Sequence, residues 1–267
     1  MPDNFDAEAA RKIIMSDERI NVTENNPIKE LFKICVNLAL IIGSFYLIIF
    51  MLSGIILFNL PAKNQVQLEN FFSKLIETKV VKISDADQKR LLTVRNNILN
   101  ADKNFPKTSN LDIFIMDDTK TNAFCYPNGN IYITSALYKE LTTDEELTFI
   151  IAHEMGHYKH KDHLRNMRDS ITGSIVLIGT VFVDPSNQGL TKMTASTIDI
   201  SNLKFSRVAE EKADKYAIKM LNILYGSSKA GVEVMTKLKE KNRSNIEFLS
   251  THPNIDRRIN YIKKLSY

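Results

Sequence analysis

From Ile34 to Ala62 the chain carries no charged side chain, and no other feature narrows its possible folds so much. The core of the run, Ile34 to Leu60, is mostly Ile, Leu, Phe, Val and Met. About 20 apolar residues suffice to cross a bilayer as a helix. Residues 34–60 are therefore expected to form one transmembrane helix, tilted because it exceeds that length. The chain then divides into a polar tail at 1–33, the span at 34–60 and a domain at 61–267. The run is too long, and begins too late, for the 7–15-residue apolar region of a cleaved signal peptide. No lipobox precedes Cys35, since Lys33 stands where small residues belong. The alternative, a buried core helix, fits this length poorly. Arg11, Lys12, Arg19, Lys29 and Lys33 precede the span and Lys63, Lys74 and Lys79 follow it. By the positive-inside rule, residues 61–267 belong on the non-cytoplasmic side, periplasmic or extracytoplasmic.

The rest of the 267 residues suffices for one good-sized domain. Basic residues number 35 against 31 acidic, a net charge of +4, and they are scattered. No basic stripe marks a nucleic-acid partner. Two cysteines, Cys35 and Cys125, cannot build a disulfide framework.

A second constraint is chemical. Ile150-Ile151-Ala152-His153-Glu154-Met155-Gly156-His157 is a His-Glu-x-x-His pattern inside an apolar run. On a helix the two histidines share one face, with Cβ atoms about 5–6 Å apart. Two imidazoles so placed can converge on one tetrahedral zinc. Glu154 lies off that face yet within reach of a water at the metal, where it would act as general base. Thr143 and Glu146 form a capping box that starts this helix, and Asp144, Glu145 and Glu146 complement its dipole. Gly156 is costly in mid-helix, which suggests close approach of another backbone or of substrate.

Apolar stripes predict helices over 64–79 and 84–100. Leu111–Met116 alternates as a strand. Asn122–Cys125 and Asn130–Thr134 flank Pro127-Asn128-Gly129 and read as a hairpin. It is either plain structure or an edge onto which an extended peptide adds. Ile171–Val183 is apolar but too short to span, and reads as a core or lid helix or a membrane-surface contact. Residues 184–202 read as a loop.

A third ligand is needed. Ser206 opens a helix that runs to about Leu224 and stops at Gly226. On it Glu210 shares an inward face with Ala213, Asp214, Ala217 and Leu221, whereas Glu211 faces Lys215 as a solvated pair. A carboxylate on an apolar face needs a partner. A divalent metal would serve, and so would Arg207 or Arg258. Asp214 could then accept from the second ring nitrogen of a ligating histidine. The rival is a metzincin pattern with His163 as third ligand. His160 stands where that pattern has its glycine, so His160 and His163 read as surface histidines at a continuing helix end.

His153-Glu154-x-x-His157, Ser206-Arg207-x-x-Glu210-x-x-Ala213-Asp214 and His252-Pro253 with Arg258-Ile259 together resemble the family of the CAAX prenyl protease, HtpX-like and mitochondrial Oma-type proteases. The resemblance covers about residues 65–265. It implies an α+β, helix-rich zincin domain with a small β-sheet, and one Zn2+ per chain on His153, His157 and Glu210. Glu154 would be the base and Asp214 would support a ligand. His252 and Arg258 would lie over the site, stabilising an oxyanion or, for His252, capping the metal at rest. Asn122-Ala123-Phe124 resembles the substrate-edge strand. The expected activity is zinc metalloendopeptidase action on polypeptides, misfolded or damaged, at a bilayer reached through residues 34–60. One span argues against an intramembrane chamber. An inactive metal-stabilised scaffold or chaperone is the alternative, and Glu154 argues against it because a structural site needs no base.

Overall fold

The computed structural model describes residues 8, 11, 26–61, 64, 66–68, 70, 80–106, 111–166, 168, 169, 172, 205–240 and 248–265, the side chains of 249 and 250 excepted. Much of the helix expected over 64–79, all of Ile171–Val183 but Thr172, and the loop at 184–202 lie outside them. Residues 1–49 and 50–267 form two compact units.

Helix α1, Pro27–Asn59, is long and apolar enough to cross a membrane, with a mean hydropathy of 2.6 over its best window. It starts before the apolar run because Asn26 Oδ1 accepts from the Ile28 N–H and Pro27 fills the first helical position. Leu40, Ile41, Phe45 and Ile56 are among the many large apolar side chains it exposes. A helix apolar all round suits lipid rather than water.

In the unit from 50 to 267, Ser84 caps α2, Asp85–Ala101, which buries Leu91, Val94 and Ile98. Strands β1 (Ile113–Met116), β2 (Ala123–Cys125) and β3 (Ile131–Thr134) form a sheet in the order β1-β3-β2. β1 runs parallel to β3 with Ile113 opposite Ile131. β2 is antiparallel with Ala123 opposite Ile133. The hairpin closes as expected. The Gly129 N–H donates to Tyr126 O at 2.9 Å with Gly129 at φ 89°, and the Tyr126 N–H donates to Asn130 O at 2.8 Å.

Thr134 caps the short α3, Ser135–Glu140. Helix α4, Asp144–Lys159, carries the expected capping box and is buried from Glu146 to Tyr158. It is the core, not an amphipathic face. Around it pack α2, β2, α5 (Arg207–Tyr225, capped by Ser206 and ended by left-handed Gly226) and α6 (Lys229–Glu240). The turn α7 (Phe248–Thr251) and helix α8 (Ile255–Leu265) close the unit.

α4 and α5 touch at their backbones. A Cβ at Gly156 would lie 3.0 Å from Ala213 Cα, tighter than nearly all such contacts, and because Ala213 Cα is backbone it yields only if the helices shift. Gly156→Ala gains about 1 kcal/mol of helix propensity but overpacks at a cost of about 1–3 kcal/mol. Urea unfolding should show a net loss of stability. A variant as stable as the parent would mean that the helices part freely.

Candidate metal centre

α4 directs His153 and His157 to one side, α5 brings Glu210 against them, and the turn between α7 and α8 supplies His252. All four are buried. His153 Nε2 lies 3.1 Å from His157 Nε2 and 3.3 Å from His252 Nδ1. Glu210 Oε1 is 3.0 Å from His252 Nδ1 and 3.6 Å from His157 Nε2, and Glu210 Oε2 is 3.6 Å from His153 Nε2. Ligand bonds of about 2.0–2.1 Å to a tetrahedral zinc separate the donor atoms by about 3.3 Å. The observed separations of 3.0–3.6 Å are close to that spacing, with Glu210 Oε1 facing His157 and His252 and Oε2 facing His153.

The second nitrogens of the α4 histidines are held by carboxylates. His153 Nδ1 is 3.1 Å from Asp214 Oδ1, and His157 Nδ1 is 3.0 Å from Asp162 Oδ2. Both contacts fix the tautomer that leaves Nε2 free for a cation. Arg258 donates to Asp214 twice, at 2.9 and 2.7 Å, and pairs with Glu210 Oε2 at 2.8 Å. Its Nη1 also faces His252 O at 3.5 Å. The expected salt bridge of Glu210 to Arg258 and its place among the histidines thus coexist.

Burial shapes the protonation states. It pulls the His153 pKa down to about 3, helped by the Arg258 charge, so the imidazole is neutral. It pushes Glu154 up to about 8, against the pull of His157. Burial opposes ionisation of Glu210, but Arg258 and His252 outweigh it and hold that carboxyl well below the usual range. Asp214, likewise buried, is held at about 2 chiefly by Arg258.

Glu154 follows His153 and is fully buried, and neither carboxylate oxygen has a hydrogen-bond partner among the described residues. His252 Nε2 stands 3.6 Å from its Oε1 and is equally without one. The Cys125 N–H on the outer edge of β2 faces this carboxylate and lowers its pKa, short of full hydrogen-bond geometry. β2 thus runs beside the site. Asn122 is tied to Thr134 Oγ1 and caps the Ala123 N–H at 2.9 Å, while Phe124 turns to the other face and stacks on Tyr126 and Tyr132.

Three expectations need correction. His163 is not a surface residue, for it is buried and stacks on Tyr158, 4.6 Å between rings; it is no member of the cluster. The helix does not continue past His160. Lys161 turns left-handed at φ 59° without a glycine, and this break swings Asp162 back to His157. Glu211 pairs with Arg257 at 2.7 Å, because α8 lies beside it. The sequence reading missed Asp162 and also Phe205, which stacks on His157 at 3.8 Å. Asp162 as a lone acid in a basic stretch, and Phe205 just ahead of the Ser206 cap, were the available signals.

The Glu154 carboxyl gives a signed expectation for metal-free protein. A group whose folded pKa is raised costs nothing below its unfolded value of about 4.5 and its full penalty above about 8. Chelator-treated parent protein should therefore lose stability relative to Glu154→Gln as pH climbs through that window. Parallel urea-unfolding profiles for the two would contradict the burial argument.

Residues 85–266 match Peptidase family M48. The chain is 22% identical over 213 residues to the beta-barrel assembly-enhancing protease of Yersinia pestis, covering 75% of this chain and 43% of that one. It is 25% identical over 209 residues to the mitochondrial metalloendopeptidase OMA1 of Saccharomyces cerevisiae, covering 74% and 55%. It is 28% identical over 181 residues to the metalloprotease LoiP of Escherichia coli, covering 66% and 69%. The chain thus spans about half the length of the first two relatives.

Proposed function

The chain belongs to peptidase family M48, and from that premise we propose that it is a zinc metalloendopeptidase anchored by residues 34–60. Its domain at 61–267 would cut misfolded or damaged polypeptides. The observation that carries this proposal is the buried cluster of His153, His157, Glu210 and His252 beside a carboxylate, Glu154, whose oxygens have no hydrogen-bond partner among the described residues. A purely structural centre would gain nothing from Glu154 and would suffer its burial.

In this proposal His153, His157 and Glu210 hold one Zn2+, with Asp214 supporting His153. The bound ion supplies Lewis-acid polarisation of a carbonyl and a lowered pKa for water. Glu154 takes the proton of the attacking water on Oε1 and passes it to the departing amine, as general base and then general acid. The outward edge of β2, at Asn122, Ala123 and Phe124, pairs with the substrate backbone, and the Ala123 C=O is turned that way.

His252 occupies the fourth corner at rest. For substrate to enter it must turn away, and its Nε2 then becomes available to an oxyanion. Arg258 takes a different part from the oxyanion role expected of it. Its N–H groups are engaged by Asp214, Glu210 and the His252 carbonyl, so it holds the carboxylates in place. The excess of basic residues before the span supports a domain on the non-cytoplasmic side.

Substitutions test the assignments. Glu154→Gln should keep stoichiometric zinc and lose at least about 100-fold in cleavage of an unfolded protein, within the range for a lost general base. Glu210→Ala should lose zinc, whereas His163→Ala and Glu211→Ala should retain it, by metal analysis after gel filtration. Undiminished turnover in Glu154→Gln, or a site emptied by His163→Ala alone, would reject the assignment.

A further inference from the structure

The two α4 histidines are supported in unlike ways. Asp214, behind His153, is fixed by Arg258, and both are buried. Asp162, behind His157, lies past the left-handed turn at Lys161, where the chain has left the core helix. Its second oxygen accepts from Arg165 Nη1 at 2.6 Å, and the same nitrogen donates to His160 O at 2.7 Å. Arg165 thus clamps the turn that delivers Asp162.

Arg165 in turn rests on the last turns of α1. Residues 50–59 belong to the same compact unit as the site. Leu57 and Leu164 are buried in one apolar cluster with Phe58 and Leu60 packed on it. The Arg165 guanidinium stands 6.0 Å from the Phe58 ring, and that of Arg168 stands 3.9 Å from the Phe50 ring. The Ser53 and Thr172 hydroxyls meet at 3.2 Å. A chain of direct contacts therefore runs from Phe58 through Arg165 and Asp162 to His157 Nδ1.

We propose that Asp162 is a positioning residue for His157, and that Arg165, seated on the C-terminal turns of α1, holds it there. Metal affinity then depends on how those turns are docked. The inference rests on the metal-binding role proposed above for His157. A carboxylate on Nδ1 fixes the tautomer and raises the basicity of Nε2, and loss of such a partner typically weakens metal binding about 10–100-fold. On the His153 side the corresponding carboxylate, Asp214, is held by Arg258 of α8 rather than by Arg165.

The test is zinc affinity of the full chain in detergent, read by competition with a chromophoric chelator, alongside the thermal midpoint of the metal-free protein. Asp162→Asn should weaken zinc about 10–100-fold and leave the metal-free midpoint nearly unchanged. A merely structural role would do the reverse. Arg165→Ala and Phe58→Ala should each weaken zinc by a smaller factor, Arg165→Lys should recover part of it, and the double variant should fall short of the product of the singles because the residues share one path. Arg165 has 45% of its side chain exposed, so its variants keep the question open to test should Asp162→Asn fail to fold. Parental zinc affinity in Asp162→Asn overturns the positioning role. Parental affinity in both Arg165→Ala and Phe58→Ala overturns the dependence on α1. A parent chain that binds no zinc overturns the metal reading itself, and this inference with it.

Discussion

The backbone contact between Gly156 on α4 and Ala213 on α5 sets the rest of the structure. At that separation a side chain one turn from the contact on either helix reaches across the gap. His153 and His157 flank Gly156, and Glu210 and Asp214 flank Ala213, so the two helices present their polar groups to one another inside an apolar core. Neither helix could bury these groups alone, because an unpaired buried charge is far costlier than the packing that would bury it. The close approach lets each helix supply polar partners to the other, while Arg258 of α8 supplies the charge that answers Glu210 and Asp214.

Polar groups in such a core must be nearly all satisfied. Asp214 answers to His153 and Arg258, Glu210 to Arg258 and the histidines, Asp162 to His157 and Arg165. Against that background the groups left without hydrogen-bond partners among the described residues stand out. Both oxygens of Glu154 and Nε2 of His252 lie together, beside the cluster of His153, His157 and Glu210.

Much of this was legible in the sequence, and the reasons are local. The capping box at Thr143, the Asn-Gly turn before β3, the Ser206 cap and the Gly226 stop each rest on a few adjacent residues. Glu210 could be told from Glu211 because helical spacing fixes which face a side chain occupies. Residues that meet through a break in regular structure were not legible. Asp162 reaches His157 only because Lys161 adopts a left-handed turn that glycine or asparagine usually takes. Phe205, ahead of α5, meets His157 of α4, and Arg257 of α8 meets Glu211 of α5, pairings between distant segments that no periodicity encodes. Arg258 was placed over the site by resemblance, and its contacts with Asp214 and Glu210 emerge only from the fold.

The central claim is that one zinc sits among two imidazoles of α4 and a carboxylate of α5, with His252 completing the set at rest. X-ray absorption at the zinc edge of the loaded full chain tests it most directly. The account predicts four nitrogen or oxygen neighbours at about 2.0–2.2 Å, with the outer-shell scattering of three imidazoles. In His252→Ala one imidazole should vanish and a light-atom neighbour take its place. A sulfur neighbour at about 2.3 Å, or a spectrum unchanged by His252→Ala, would contradict it.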